Sequence, residues 1–266
     1  MRDDIVDTNK PSSGRMYDYY LGGNHNFEVD RQLGDQVIKL FPFILKYARL
    51  QRWALQDIAE EFTLRRGYDV IIDFASGLPT VDHIHTRVPK GTTVIYSDYD
   101  PTVVEYGQEI LKDTSDVYYF ENDCTQPEEL LARPEVNQIL IGRRKVGICY
   151  WGISGFLNDA EVSHAMQVLY DWAAPGSCLA FNAQMANVDM NNPAISELFK
   201  LYKDFGQDGN PRSFEQYTKL MLPWRMDEKG WISLLDWYGF DQSELSKEDA
   251  DAWGPMGGGF GAYMTK

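Results

Sequence analysis

What this sequence lacks narrows it before anything it contains. There is no excess of basic charge: 40 acids against 25 bases leave a formal net charge of −15. Affinity for a phosphate backbone comes mainly from lysines and arginines that release counterions, so no nucleic-acid partner is expected. The short run Arg143-Arg144-Lys145 reads as a solvated loop before a strand. No apolar stretch approaches the roughly 18 residues of a membrane span, and Met1-Arg2-Asp3-Asp4 opens on charge without the apolar centre of a secretory leader. A cytoplasmic protein with no membrane association is the expectation. Cysteine is scarce. Cys124, Cys149 and Cys178 are odd in number and scattered within or beside predicted strands, which implies buried reduced thiols. Neither HExxH nor CxxC occurs, and His83 and His85 fall two apart in a predicted helix, pointing to different sides, so no metal site is expected. Ser76-Gly77 lacks the GxSxG context of a serine hydrolase.

What is present is a core and a rhythm. Hydrophobic residues make up 44% of the 266-residue chain and aromatics 14%, ample for one large α/β domain. A helical prelude comes first: Leu33, Val37, Leu40 and Phe41 share a face until Pro42 interrupts, then Ile44, Tyr47, Trp53, Ile58 and Phe62 roughly follow the helical period to a stop at Gly67. Apolar strands follow at Val70 to Phe74, Val94 to Asp98, Val117 to Phe120, Val146 to Trp151 and Cys178 to Asn182. Helices are expected between them: Thr80 to about Val88, one started by Asp100-Pro101, one at Pro127, and one capped by Asn158-Asp159. Such alternation predicts βαβ units on a parallel sheet. From Ala183 to about Asp227 the strand signal disappears, while Trp231 to Tyr238 reads as a last helix and Gly258 to Met264 as a final strand with edge irregularity.

Two strands end on carboxylates, Asp73 and Asp98. In open α/β sheets ligands sit at the carboxyl ends of the strands, and Asp98 follows Asp73 at an offset near that of a ribose-binding acid. The ligand is expected to carry a ribose. The turn Asp73-Phe74-Ala75-Ser76-Gly77-Leu78-Pro79 has one glycine, a poor cradle for a diphosphate. After the third strand, Glu121-Asn122-Asp123-Cys124 offers Asp123 to an exocyclic amine, although Asn-Asp pairs also form turns.

Together the Asp73 turn, Asp98 and Asp123 resemble the cofactor side of Rossmann-like methyltransferases. The string Arg15-Met16-Tyr17-Asp18-Tyr19-Tyr20-Leu21-Gly22-Gly23, with Asn26-Phe27, Asp30-Arg31, Gly77-Leu78-Pro79-Thr80, Asp98-Tyr99-Asp100-Pro101 and Ala174-Pro175-Gly176-Ser177, sharpens the likeness. It resembles a bacterial S-adenosylmethionine-dependent methyltransferase family first catalogued as a domain of unknown function. The resemblance implies a sheet of about seven mostly parallel strands, helices on both faces and an N-terminal helical cap. It further implies that Asp73 and the backbone of Ala75, Ser76 and Gly77 hold the methionine part, Asp98 with neighbouring Tyr99 the ribose, and Asp123 with neighbouring Cys124 the adenine. Tyr150, Trp151 and Gly152 would line the pocket near the sulfonium, under a cap formed by Arg15, Tyr17, Tyr19 and Gly23. Two departures stand out: Ala75 replaces the family's usual glycine, and Gly155-Phe156 stand where the family often has histidine.

On this reading 1–266 is a single domain: a cap over 1–67, a cofactor-binding core over 68–182, a helical insertion over the acceptor pocket at 183–227, and a C-terminal helix and strands over 228–266. In-line methyl transfer to a small-molecule acceptor is the expected activity, with alignment the main source of rate. No catalytic residue is assigned; Asp18, Tyr19 and His25 are proton acceptors only by their place in the cap. A non-catalytic S-adenosylmethionine-binding sensor is the alternative. A nicotinamide-dependent reductase is a third, opposed by the missing glycines and the lack of a Tyr-x-x-x-Lys pair. The acceptor and the oligomeric state are not encoded in any pattern.

Overall fold

The computed structural model describes residues 10–80, 82–241, 246–247 and 259–266. Helices α1 (Ser13–Tyr20), α2 (Glu28–Leu40) and α3 (Ile44–Glu60) form the prelude. Leu33, Val37 and Phe41 are buried, as the period implies. Trp53, expected inward on α3, is 42% exposed and meets Tyr238 edge-on instead. A π-helical turn, Glu61–Arg65, ends the prelude, and Gly67 at φ 71° turns the chain into β1 (Val70–Phe74).

Then come β2 (Thr93–Asp98), α4 (Pro101–Leu111), β3 (Val117–Glu121), α5 (Pro127–Leu131) and α6 (Pro134–Leu140). These are followed by β4 (Gly147–Tyr150), α7 (Asp159–Trp172) and β5 (Cys178–Asn182). β1, β2, β4 and β5 are buried along their whole length, which is why they read as continuous apolar runs. The caps form where the sequence places them: Asp100 accepts from Thr102 N–H ahead of Pro101, and Asn158 forms a capping box with Glu161. The one helix expected at Pro127 is two, because Arg133 precedes Pro134 and takes an extended ψ of 133°. The helix expected from Thr80 to Val88 is a single 3-10 turn, Ile84–Thr86, with the buried His83 ring capping it.

Helices α8 (Pro193–Asp204) and α9 (Phe214–Leu220) fill the region after β5, and β6 (Arg225–Met226) adds a short strand where none was expected. Ile232–Ser233 is β7, leaving only Leu234–Trp237 as α10, and β8 is Phe260–Thr265. The eight-stranded sheet runs β3-β2-β1-β4-β5-β8-β6, with β7 also on β8. Strands β1 to β5 pair in parallel; β8 is antiparallel to β5 and to both short strands. β8 is therefore interior and not an edge. Its Gly261 leaves room for the Trp151 ring, which a side chain would strike. Gly258 lies outside the described residues.

Alternation along the strands divides the core. Val70, Ile72 and Phe74 join the layer with α7 and α9, while Ile71 faces the layer with α3 and α4. The strand order reverses at β1, flanked by β2 and β4, and that switch point opens the crevice for a ligand.

Candidate functional site

The turn leaving β1 is stitched to its neighbours by hydrogen bonds. Ser76 N–H donates to the Ser97 carbonyl at 2.8 Å, Gly77 N–H to Asp98 Oδ2 at 3.0 Å, and the Tyr119 hydroxyl to the Gly77 carbonyl at 2.6 Å. Asp98 Oδ1 also accepts from Asp100 N–H at 3.0 Å, so one carboxylate fixes the turns after β1 and β2 together. Burial pushes its carboxyl up to about 6, against the pull of these amides.

Beneath the turn is a buried polar cluster. Ile84 N–H donates to His83 Nδ1 at 2.8 Å, which places the ring proton on Nε2, 3.2 Å from the Ser76 carbonyl and 3.9 Å from Asp73 Oδ2. Burial drives the His83 pKa down, so the ring is neutral. The buried Arg52 guanidinium donates to the Leu78 carbonyl at 3.3 Å and lies over the Tyr17 ring. Burial raises the Asp73 carboxyl to about 7, opposed by Ser76 and the Arg52 charge, and its Oδ2 has no hydrogen-bond partner among the described residues.

Above the turn a cavity lies at the carboxyl ends of β1, β2 and β4. Of the expected residues, Tyr17, Ala75, Ser76, Gly77, Asp98, Tyr99, Trp151 and Gly152 border it. Asp73 lies below the turn and does not. Asp123, expected against a base, has an exposed side chain whose Oδ1 accepts from Thr125 N–H and hydroxyl, a local turn. Tyr150 points to the opposite face of β4, its hydroxyl donating to the Cys124 carbonyl at 3.2 Å, because neighbours on a strand alternate and Trp151 has the cavity side. Cys124 is buried there too, its thiol pushed up to about 12 by burial.

The expected cap is divided in the same way. Tyr17 borders the cavity and donates to the Ala48 carbonyl at 2.9 Å. Arg15 does not border it; buried, it holds Asp30 at 2.8 Å and Asp100 at 3.1 Å, pinning α1 to α2 and to the start of α4. Asp30 in turn accepts from the Ser12 and Phe27 amides. Tyr19 bonds Asp35 at the surface, and Gly23 closes a turn packed on Asp18, whose Oδ2 accepts from His25 N–H.

The sequence reading missed several wall residues: Gly14, Tyr20, Tyr47, Gln51, Gln184 and Tyr202. Gln51 had a readable signal, a polar residue on the buried face of α3 that also carries Ala48 and Leu55. Gln207 on the loop after α8 donates to Ser13 Oγ, bridging to α1 beside the cavity.

The walls suit an adenosyl amino acid. Gly77 and Gly152 have φ of 62° and 78°, and a Cβ on either would project into space free of atoms within 4 Å, so the backbone is open to a ligand. Gln51 Nε2 and Oε1 and Trp151 Nε1 are buried without partners among the described residues. Buried polar atoms left unsatisfied are costly, and a ligand rich in donors and acceptors relieves them. A second cavity adjoins the first, with Ile44, Tyr47, Phe156, Gln184 and Tyr202 bordering both. Among the described residues there is no cluster fit to hold a metal, and no helix is long and apolar enough to cross a membrane.

A mostly parallel sheet reversing at β1, with its cavity at the strand ends, defines a Rossmann-like methyltransferase fold. The sequence profile of the S-adenosyl methyltransferase family matches residues 1–261, and the chain belongs to that family. Its cofactor is S-adenosylmethionine. A solved structure described as a candidate methyltransferase from Thermobifida fusca YX is 27% identical, covers 98% of this chain and 96% of its own, and superposes with a TM-score of 0.83. A DUF574 family protein from Streptomyces avermitilis MA-4680 is 23% identical over 98% of this chain and 99% of its own, with a TM-score of 0.80, and shares the fold. No curated protein matches the sequence.

Proposed function

We propose that the chain transfers a methyl group from S-adenosylmethionine to a small-molecule acceptor in the cytoplasm. The observation that carries this reading is the pairing of the cavity at the strand ends with a second, adjoining one walled by α8 and the prelude. A pocket for one bound molecule next to another is what group transfer between small molecules needs. The net charge of −15 opposes a nucleic-acid acceptor, and three buried free cysteines accord with a reducing compartment.

When bound, the cofactor supplies a methyl carbon activated by positively charged sulfur. Asp98 would accept from the ribose hydroxyls, using carboxylate lone pairs beyond those taken by Gly77 and Asp100. The Ala75 to Gly77 backbone and Gln51 would meet the amino-acid part, and the aromatic faces of Tyr17, Tyr20 and Trp151 favour a cation. Arg15 keeps α1 seated over the cavity, which excludes water from the reacting atoms. The insertion 183–227 and the prelude together shape the acceptor side.

The sensor alternative draws on one observation: among the described residues the cavity walls hold no histidine or lysine, and their one carboxylate is already bonded to two amides. Methyl transfer does not require a protein base, so the enzyme reading stands ahead. Incubation with isotope-labelled S-adenosylmethionine and a bacterial small-metabolite extract separates the two. Label in an extractable small molecule is expected; label retained on the protein as unreacted cofactor through many hours would establish the sensor.

A further inference from the structure

The second cavity has walls of one chemical kind. Phe41, Phe43, Phe156, Leu198, Phe199 and Phe260 contribute to them, and no Asp, Glu, Lys, Arg or His borders it among the described residues. Aromatic rings frame it: Phe41 and Phe43 lie 4.6 Å apart, and Phe156 meets Tyr202 edge-on at 5.3 Å. Among the described residues a charged molecule would find no counter-ion in these walls, and a polyhydroxylated one few partners. Polar groups gather at the boundary with the first cavity, where Tyr47, Gln184 and Tyr202 border both. Gln184 is held on both its backbone and its side chain. Its carbonyl accepts from the Tyr217 hydroxyl and its Oε1 from Gly155 N–H at 3.3 Å, which leaves the amide nitrogen as its donor.

Resting on the methyltransferase reading of the adjoining cavity, we propose that this chamber binds the acceptor as a flat, uncharged aromatic molecule whose weakly acidic hydroxyl meets the Tyr47, Gln184 and Tyr202 boundary. Burial keeps both tyrosine hydroxyls protonated at neutral pH, so they serve as donors and cannot take a proton. The acceptor's proton therefore passes to bulk solvent before the reacting atoms are closed off from water, and the phenolate oxygen is held at the boundary by these donors beside the cofactor's positive sulfur. The phenolate oxygen then uses a lone pair to bond the methyl carbon while the carbon–sulfur bond breaks and its electron pair stays on sulfur. One consequence is distinctive. The rate should rise with pH through the acceptor's own pKa and shift with it, since no protein base sets it.

The full chain should be titrated calorimetrically with S-adenosylmethionine alone and, separately, by fluorescence with naphthol, umbelliferone, naphthoate and naphthylmethylammonium. Naphthol or umbelliferone should bind and become O-methylated with labelled cofactor, and the two charged analogues should bind at least about tenfold more weakly. Val188→Arg, which puts a charge in the chamber wall, should lower naphthol affinity by about tenfold or more while leaving cofactor affinity within about twofold. Val188→Asn should act in the same direction if the arginine variant fails to fold. Failure of S-adenosylmethionine to bind overturns the reading of the first cavity. Intact cofactor binding with neither hydroxyarene bound, with charged analogues bound equally well, or with a rate independent of the acceptor's acidity overturns the chamber assignment alone.

Discussion

The Gly77 amide donates to Asp98 Oδ2 at 3.0 Å, and so the acid at the end of β2 organises the turn at the end of β1 before any ligand arrives. The same carboxylate holds the Asp100 amide, which sets the first turn of α4. Preorganisation of this kind lowers the ordering cost of binding, because the wall does not have to be built around the ligand.

Replacing Asp98 therefore removes a brace and, on the function proposed above, the ribose acceptor as well. A hydrogen bond to a charged group contributes about 1.5 to 3 kcal/mol, so Asp98→Ala should weaken S-adenosylmethionine binding by about one to two decades. Calorimetry checks this, and an affinity within about twofold of the native value would remove Asp98 from the account.

A second prediction concerns pH. Burial raises the carboxyls of Asp73 to about 7 and Asp98 to about 6, above their unfolded values near 4. Between about pH 4 and about pH 7 these two carboxyls thus bind more protons in the folded, ligand-free chain than in the unfolded one, while the buried His83 and half-buried His85, with lowered pKa values, pull the other way. The carboxyls' stabilisation is complete below this window and is lost as pH rises through it. The Tm of the native chain minus that of Asp73→Asn should therefore fall as pH rises across the window, the histidine contribution cancelling in the difference. A difference that climbs with pH would contradict the assignment. Binding of a cationic ligand should also release protons, read as a buffer-dependent heat in calorimetry.

How much of this was legible follows from the kind of signal each residue leaves. Asp98 and the Asp100-Pro101 helix start are local patterns, an acid after an apolar run and a cap before a proline, and they occupy the places such patterns imply. Tyr150 and Trp151 share one run, and only the pairing of β4 with β1 and β5 decides which of the two faces the cavity. Asp123 shows that an acid after a strand at the sheet's edge has the simpler option of closing its own turn. Gln184 and Tyr202 are invisible as wall residues because they come from a region without periodic strand signal: Gln184 lies just past β5, held by Gly155 and Tyr217, and Tyr202 is brought to the cavity by the packing of α8 against α2. β8 misled through its glycines, one of which accommodates the Trp151 ring in a central strand.

Arg15 supplies a third prediction. Its guanidinium is buried between Asp30 and Asp100, and removing one partner of such a group leaves charge uncompensated at a cost of about 3 to 5 kcal/mol. Arg15→Ala should lower the urea midpoint by a corresponding amount. A loss below about 1 kcal/mol would show that α1 is seated by Met16 and Tyr20 packing alone.

Ala75 supplies a fourth. It sits at φ 53°, where a side chain costs about 1 to 2 kcal/mol and glycine costs nothing beyond its own entropy of about 0.5 to 1. Ala75→Gly should raise stability by roughly 0.5 to 1 kcal/mol in urea unfolding. Destabilisation instead would mean that the methyl group packs favourably enough to outweigh the strain.

The most direct measurement is calorimetric titration of the intact protein with S-adenosylmethionine and, in parallel, with NAD. Saturable binding of S-adenosylmethionine near one equivalent, with no heat from NAD, is the predicted result. Saturable binding of NAD with none of S-adenosylmethionine would contradict the assignment of this cavity to a methyl donor.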